Sequence, residues 1–311
     1  MSARVPLPES LPPNGFTVAA ARSAGVHPNR LNAADLDKPH WGVRMPASGS
    51  PDFPGRCTAL ASALPPHVFF SGVSAAALIR IPVPLRFEPA TDPLIEVSVA
   101  EPARAIRRPG VRGRKLGVTA TDIEFRDGIR MTTPARTWCD LAPLLTLAEL
   151  VAAGDYLVFH ERRMETRETL AAAVAAHPGR RWRPKLKRAL ALLSDHSESP
   201  KESELRVVVV THGLPVPLIN VSIYTDSGRF VARVDVLFED FGEILEYQGD
   251  HHRTDVRQWR RDRIRESELE SMGYHVTEVV AEDLADPAKL IRRIAANLRR
   301  RGWTGHPSFP A

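Results

Sequence analysis

Cysteines and long apolar runs are both scarce in this sequence. The 311 residues include only two cysteines, Cys57 and Cys139, too few for a disulfide framework or a cysteine-rich zinc site. No segment approaches the roughly 18 apolar residues that a transmembrane helix needs, and the first residues lack the apolar core of a signal peptide. These absences predict a cytoplasmic protein without a membrane partner.

Aromatic residues are also few, at 6%, but 43% hydrophobic and 25% charged residues are the proportions of a folded globular protein. The length allows two or three domains. We place a winged-helix-like module at 1–56, a small α/β middle domain at 57–160, a basic helical connector at 161–196 and a last domain at 197–304. The last domain contains a complete alternation of strand and helix patterns, so we expect it to fold by itself.

Positive charge is concentrated in the first 196 residues. They contain 26 Lys and Arg against 18 Asp and Glu, whereas the remainder contains 16 against 19. The basic residues form two clusters: Arg104, Arg107, Arg108, Arg112, Arg114 and Lys115, and then Arg180, Arg181, Arg183, Lys185, Lys187 and Arg188. Such clusters suit DNA phosphates and give a salt-sensitive affinity that does not depend on base sequence. Two solvated basic surfaces are the alternative.

A predicted hairpin in the last domain carries acids on both of its strands. Residues 234–238 and 244–248 are short runs of β-branched and aromatic residues around a turn-like segment, which is typical of two paired strands. Each run contains a carboxylate, Asp235 in the first and Glu246 in the second. A carboxylate is costly to bury without a partner, so each must face solvent, an arginine or a cation.

The partner of these acids could be either an arginine or a cation. Arg233 and Arg265 are the arginines that would pair with Asp235 and Glu246 as surface groups. Two carboxylates on adjacent strands also suit magnesium, which prefers oxygen ligands and leaves room for water and a phosphate. We predict a Mg²⁺ or Mn²⁺ site here, because the acids lie within apolar strands.

The order of acids around the hairpin resembles that of a known nuclease superfamily. Glu202 lies in a helical pattern before the hairpin, Asp235 on the first strand, and Glu246-Tyr247-Gln248 on the second. This order resembles the PD-(D/E)XK nucleases. Over 197–304 the later residues are similar to their very-short-patch-repair-like branch: Gly249, Asp250, His251, His252, Asp262, Arg265, Leu269, Gly273 and Tyr274.

The resemblance implies a restriction-endonuclease-like core within a chain of the α/β or α+β class. The apolar patterns from residue 202 onward fit its element order, αβββαβα, with a mixed sheet flanked by helices. The implied activity is metal-dependent endonucleolytic hydrolysis of DNA, in repair, restriction or phage defence. The implied metal ligands are Asp235, Glu246 and the backbone carbonyl of Tyr247, with Glu202 approaching from the preceding helix.

Two positions after the acids bear on catalysis. Gln248 stands where the superfamily normally has a lysine that orients water or stabilises charge, and this departure favours a fold without activity. His251 and His252 follow a loop that can aim an imidazole at a phosphate or a water, and the resemblance to this branch makes His252 the expected group, with incidental surface histidines as the alternative. In the helix predicted next, Arg261 or Arg265 contacts phosphate, or Arg265 pairs with Asp262 at helical spacing.

The N-terminal module is predicted to bind DNA. Residues 16–24 and 28–36 have the pattern of two helices joined by a glycine turn, and residues 41–46 that of a wing strand. The segment resembles the winged-helix module of AbiEi-like antitoxin regulators, although a helical packing unit is the alternative. The resemblance makes three side chains exposed DNA readers: Arg30, Asn32 and Arg44.

Two classes of function therefore remain open. One is a metal-dependent endonuclease that holds DNA through its N-terminal region, with Arg107 and Arg108 of the basic clusters as phosphate contacts. The alternative is a non-catalytic, DNA-binding regulator of antitoxin type that keeps a nuclease fold for packing or interaction. DNA is the expected partner in both. The sequence leaves open whether the chain acts alone, as a homodimer or with another protein.

Overall fold

The computed structural model describes residues 5–47, 52–91, 93–248 and 256–309, with the side chains of 256–262 left out. The chain divides into two compact units, 1–141 and 142–311. The described residues form three sheets and eleven α-helices, so the predicted α+β class is confirmed. Among these helices, none combines the length and the apolar character needed to cross a membrane.

A small three-stranded sheet begins the first unit. Its elements and the helix that follows are β1 (Phe16–Thr17), α1 (Val18–Ser23), β2 (Leu36–Asp37), β3 (Val43–Pro46) and α2 (Phe53–Ala61). β3 lies between β1 and β2. The Thr17 hydroxyl begins α1 by accepting a hydrogen bond from the Ala20 N–H at 3.0 Å. The predicted domain boundary at 56/57 falls inside α2.

Only one of the two predicted N-terminal helices forms. In place of a helix over 28–36 there is a single 3-10 turn, Arg30–Asn32, and Ala33 after it is extended. Leu36 then pairs with Pro46 of β3, so the backbone groups that a longer helix would use are taken up by a sheet. The predicted second helix is therefore wrong, whereas the predicted wing strand is present as β3.

A five-stranded sheet makes up the rest of the first unit. Its elements are β4 (Phe69–Phe70), α3 (Gly72–Ile79), β5 (Ile95–Ala100), β6 (Val111–Leu116), β7 (Ile123–Arg126), β8 (Ile129–Thr132) and α4 (Pro134–Leu141). The strand order is β6-β5-β4-β8-β7, and β6 runs parallel to β5. Half of the first basic cluster therefore lies on a strand, because β6 contains Arg112, Arg114 and Lys115.

Four helices begin the second unit: α5 (Leu147–Val158), α6 (Arg167–Ala176), α7 (Arg183–Ala191) and α8 (Pro200–Thr211). A capping box begins α5. The Thr146 N–H donates to Glu149 Oε2 at 2.7 Å, and the Glu149 N–H donates to the Thr146 hydroxyl at 3.3 Å. This exchange satisfies two backbone groups that a helix end leaves open.

A buried carboxylate joins α5 to α8. Asp155 Oδ2 accepts hydrogen bonds from the Ser203 hydroxyl and the Arg206 guanidinium, both at 2.7 Å. Its Oδ1 accepts from the Ser194 N–H, also at 2.7 Å. Residues before and after the predicted boundary at 196/197 thus share one buried hydrogen-bond network. The predicted domain limits at 160/161 and 196/197 stay predictions.

The remainder of the second unit is a four-stranded mixed sheet with three more helices. The elements are β9 (Leu218–Tyr224), β10 (Phe230–Phe238), β11 (Glu243–Tyr247), α9 (Val256–Ser271), β12 (His275–Val279), α10 (Ala281–Ala285) and α11 (Pro287–Arg300). The strand order is β12-β11-β10-β9, with β11 antiparallel to β10 and parallel to β12. The predicted order αβββαβα is confirmed from α8 onward, with α10 as an additional short helix.

Apolar clusters bring helices against this sheet from two directions. One cluster joins α8 and α11 to the sheet and includes Leu205, Val236, Leu245 and Ile294. A second cluster joins α9 to the sheet and includes Leu237, Ile244 and Leu269. Neighbouring positions of one strand therefore contribute to different clusters, as alternating side chains require. The sheet is flanked by helices, and the acidic hairpin lies between them.

Candidate active site

The predicted hairpin places its two acids side by side. Val236 lies opposite Leu245 and Leu237 opposite Ile244 in the antiparallel pair of β10 and β11. Continuing that register by one residue sets Asp235 opposite Glu246. Directly opposed residues of an antiparallel pair have neighbouring side chains, so two carboxylates share one small region of the sheet.

Asp235 is half-buried and is held by the facing strand. Its Oδ2 accepts a hydrogen bond from the Tyr247 N–H at 2.9 Å. Burial raises the pKa of the Asp235 carboxyl, and the negative charges of Glu202 and Glu198 raise it further. The Tyr247 N–H and the Arg265 charge oppose that rise without cancelling it. Burial is thus the largest cause of the raised pKa of Asp235, and the neighbouring acids add to it.

Glu246 is paired with an arginine of α9. Arg265 Nη2 lies 2.9 Å from Glu246 Oε2, and the exposed fractions of the two side chains are 35% and 12%. Of the partners that the sequence predicted for Glu246, the structure shows an arginine. The alternative pairing of Arg265 with Asp262 involves a side chain outside the described residues. Arg233, the other arginine considered, pairs with Glu198.

Glu202 lies in the first turn of α8 and is fixed from two sides. Its Oε2 accepts hydrogen bonds from the Glu198 N–H at 3.0 Å and from Asn220 Nδ2 at 2.8 Å. The Ser199 hydroxyl, as the N-cap of α8, accepts from the Glu202 N–H at 3.2 Å. A helix N-terminus favours a carboxylate, which explains why an acid is stable at this position.

Asn220 is a site residue that the sequence analysis missed. It belongs to β9 and has a φ of 53°, an angle that asparagine tolerates better than most residues. Its amide donates both to Glu202 and to the His196 carbonyl, the latter at 2.7 Å. One signal was present: Asn220 is a polar residue within the otherwise strand-forming run 218–224.

Tyr247 and Gln248 follow Glu246 and are the last described residues before position 249. β11 ends at Tyr247, so Gln248 lies one residue beyond the strand in which it was predicted. The Gln248 N–H donates to the Val279 carbonyl at 2.8 Å and so continues the pairing with β12. His252 lies outside the described residues, as does the side chain of Arg261. Their predicted roles stay predictions.

A cluster of three or more His, Cys, Asp or Glu side chains placed to hold a metal ion does not occur in the described ranges. The arrangement seen around the hairpin is a pair of carboxylates, Asp235 and Glu246, with Glu202 near enough to affect the pKa of Asp235. Such a pair can offer oxygen ligands, accept a proton or bind a guanidinium. Among the described residues, Glu246 contacts the guanidinium of Arg265.

Two of the three predicted DNA readers of the first unit are engaged internally. Arg30 makes a two-point contact with Asp35 at 2.9 and 2.8 Å, and its side chain is only 13% exposed. Arg44 donates to the Leu31 carbonyl at 2.6 Å. The prediction that these two side chains are exposed is wrong, because they stabilise the small sheet. Asn32 is exposed, as predicted.

The first basic cluster is likewise divided between the surface and internal contacts. Arg107 is exposed, whereas Arg108 donates to the Trp41 carbonyl. Arg114 Nε lies 2.9 Å from Oε1 of the buried Glu96, and Arg112 lies 3.8 Å from Oε2. This cluster is therefore in part the counter-charge of one buried acid, which reduces the number of arginines available to phosphate.

The second basic cluster keeps more of its charge at the surface. Arg183 donates to the His177 carbonyl at 2.8 Å. Lys185 donates to the Ala142 carbonyl at 3.0 Å, and burial lowers the pKa of its ammonium group. Four other members of the cluster are exposed: Arg180, Arg181, Lys187 and Arg188. These four are the more accessible contacts for an anion.

Comparison with known proteins places the chain beside two relatives from Mycobacterium tuberculosis, one from strain CDC 1551 and one from strain H37Rv. Both are described as uncharacterized proteins. Each is 27% identical to this chain over 260 residues, which cover 83% of the chain and 92% of the relative. No family model matches, and no solved structure matches significantly. Because neither unit contains 260 residues, the similarity extends into both.

Proposed function

We propose that this protein is a metal-dependent endonuclease that hydrolyses DNA phosphodiester bonds. The observation that carries the proposal is the crowding of acids at the hairpin. Asp235 lies opposite Glu246 in the strand register, and the charge of Glu202 contributes to its raised pKa. Perturbed acids in a shared site are more often kept for chemistry than for stability. The mixed sheet and its flanking helices are also those expected of a PD-(D/E)XK nuclease.

The residues present fit a hard divalent cation. Asp235 and Glu246 offer oxygen ligands only, which favours Mg²⁺ or Mn²⁺ over softer metals. A cation held by them and by the Tyr247 carbonyl would offset the burial and the repulsion that together raise the pKa of Asp235. In such a site a metal ion lowers the pKa of a bound water and balances negative charge on a phosphate.

The chain's own contacts hold the acids in position for this task. The Tyr247 N–H holds Asp235, and Asn220 holds Glu202. Groups held by hydrogen bonds lose less freedom when they bind a ligand, which is the usual support of a functional site. His252 remains the proposed group for proton transfer or phosphate contact.

The first test is cleavage by the full chain with Mg²⁺ or Mn²⁺. Duplex, single-stranded and mismatched DNA and RNA are incubated with the wild type and with Asp235→Ala and Glu246→Ala. We expect cleavage by the wild type and loss of most of it in both variants. Asp226→Ala is the matched control, because Asp226 is exposed in the turn between β9 and β10. No cleavage of any substrate together with no Mn²⁺ binding would contradict the proposal.

Gln248→Lys provides a second test of the same site. A lysine there restores the residue that the superfamily usually has, and its ammonium group adds positive charge near the acids. We expect this variant to keep or increase the cleavage rate of the wild type. Inactivity of both proteins, despite Mn²⁺ binding, would show a metal site without nuclease activity.

A DNA-binding regulator of antitoxin type is the second proposal. The replacement of the usual lysine by Gln248 favours it, and the predicted wing strand is present as β3. Exposed Asn32 is the predicted reader that remains accessible. Selection of duplexes from a random library in EDTA tests this function. A preferred sequence that is lost in Asn32→Ala would support a regulator, and binding without sequence preference would oppose it.

A further inference from the structure

The ion pair between Arg265 and Glu246 affects when the proposed site can bind a metal ion. We propose that Arg265 is a gate: it neutralises Glu246 while no nucleic acid is bound, and it moves to a DNA phosphate when substrate arrives. Its departure leaves Glu246 to the metal ion. This inference rests on the proposed nuclease function and adds a coupling between metal binding and DNA binding.

The two partners of the pair differ in their access to solvent. The Glu246 side chain is only 12% exposed, whereas that of Arg265 is 35% exposed. Glu246 belongs to the central strand β11, which pairs with strands on both sides. The acid is therefore fixed, and the guanidinium, on a long side chain from α9, is the partner that is able to leave. This asymmetry is what a gate requires.

The guanidinium competes with a metal ion because both need the same negative charge. Arg265 lies 2.9 Å from Glu246, and its charge also opposes the pKa rise of Asp235. A divalent ion held between these acids would be close to a fixed positive charge and would be repelled by it. Metal binding without substrate is therefore weakened for as long as Arg265 stays on Glu246.

A phosphate is a suitable alternative partner for the guanidinium. Arginine binds phosphate through two parallel hydrogen bonds, with a geometry that lysine does not provide. The first ten residues of α9, 256–265, contain five arginines and one acid, Asp262. This part of the helix has a strongly positive sequence, which would draw a nucleic-acid phosphate toward Arg265.

The coupling follows from thermodynamic linkage. If DNA removes Arg265 from Glu246, DNA raises the affinity for the metal ion, and the metal ion raises the affinity for DNA by the same factor. Removing the guanidinium should therefore change the two affinities in opposite directions. A residue that only stabilises α9 against the sheet would not produce that crossed pattern, which makes the gate testable without measuring cleavage.

The first measurement is Mn²⁺ affinity of the full chain without nucleic acid, from the electron paramagnetic resonance signal of free Mn²⁺. We expect Arg265→Gln to bind Mn²⁺ about two- to fivefold more tightly than the wild type, the range expected for breaking a partly exposed ion pair. Arg265→Lys, which keeps the charge, should lie between them. Arg263→Gln is the matched control on the same helix, because Arg263 pairs with Glu266, and it should leave the affinity unchanged.

The second measurement is binding of a 20-base-pair duplex in EDTA, by fluorescence anisotropy over a range of salt concentrations. We expect Arg265→Gln to bind the duplex more weakly, with the slope of log K against log salt reduced by about one. Unchanged or weaker Mn²⁺ affinity in Arg265→Gln would overturn the gate while wild-type binding and cleavage still support the nuclease. If the wild type binds no Mn²⁺ with or without duplex, the nuclease proposal fails, and the gate fails with it.

Discussion

The backbone N–H of Tyr247 holds the carboxylate of Asp235 across the hairpin, at 2.9 Å from Oδ2. This bond favours the ionised acid, yet burial and the nearby charge of Glu202 prevail and raise the pKa of Asp235. The folded protein therefore binds this proton more tightly than the unfolded chain does. At neutral pH the ionised Asp235 therefore lowers the stability of the folded state.

The pH dependence of stability follows from the direction of this shift. A raised pKa stabilises the folded state fully below the ordinary value of 3.8, and this contribution is lost as the pH rises through the raised pKa. We expect Asp235→Asn to increase the free energy of unfolding at pH 7 and to have little effect below pH ~4. Urea unfolding at both pH values measures this, with exposed Asp226→Asn as the control. A gain that is equal at both pH values would contradict the charge explanation.

Breaking the buried pair between Asp155 and Arg206 should strongly destabilise the second unit. Asp155→Ala leaves the guanidinium of Arg206 without its counter-charge, and the loss of one partner of a buried ion pair typically costs about 3–5 kcal/mol. Asp195→Ala is the matched control, because that carboxylate is 52% exposed and pairs with His196. The control should cost less than ~1 kcal/mol. Urea unfolding of both variants checks the difference. Equal losses in the free energy of unfolding would show that the buried pair stabilises the unit no more than the exposed pair does.

Two arginines of the first basic cluster should respond differently to the same substitution. Arg107→Gln removes an exposed charge, so we expect weaker duplex binding, a salt slope smaller by about one and unchanged stability. Arg114→Gln removes the closer partner of Glu96, a side chain that is 4% exposed, so its main effect should be a loss of stability of about 1–3 kcal/mol. Anisotropy and urea unfolding on both variants separate the two effects. The reverse pattern would mean that Arg114 contacts phosphate.

The proposed role of His252 predicts a rate effect without a metal effect. His252→Ala should slow cleavage by roughly 10²–10⁴-fold, the usual contribution of a general acid or base, and should leave Mn²⁺ affinity largely unchanged. His251→Ala is the neighbouring control and should have a smaller effect on the rate. A loss of Mn²⁺ binding in His252→Ala would instead make this histidine a ligand.

The strands and helices of the second unit were predictable because their apolar patterns are local. The element order predicted from residue 202 onward, αβββαβα, is the order of the elements from α8 to α11, apart from the short helix α10. In contrast, β6 was missed because its sequence is polar and basic. It is stabilised by pairing with the buried strand β5 and by contacts to Glu96, neither of which is visible in the six residues themselves.

The acids of the candidate site were also predictable, but their partners were not. Asp235 and Glu246 stand out as charges within apolar strands. The partners Arg265 and Asn220 are each at least 18 residues away along the chain from the acids that they contact. Those contacts depend on how α9 and β9 pack against the hairpin. A sequence pattern therefore predicts which helix or strand carries a side chain. It does not predict which side chain of another element contacts it.

The network around Asp155 determines which fragment of the chain has to be transferred when the hairpin is grafted into another protein. A fragment that begins at residue 197 keeps Ser203 and Arg206 but loses the carboxylate that both of them contact. In such a fragment the Arg206 guanidinium, which the intact chain buries, would be exposed or left without its counter-charge. This argues against our expectation that 197–304 folds by itself. The smallest transferable form of the hairpin therefore includes α5 and begins near residue 142, where the second compact unit begins.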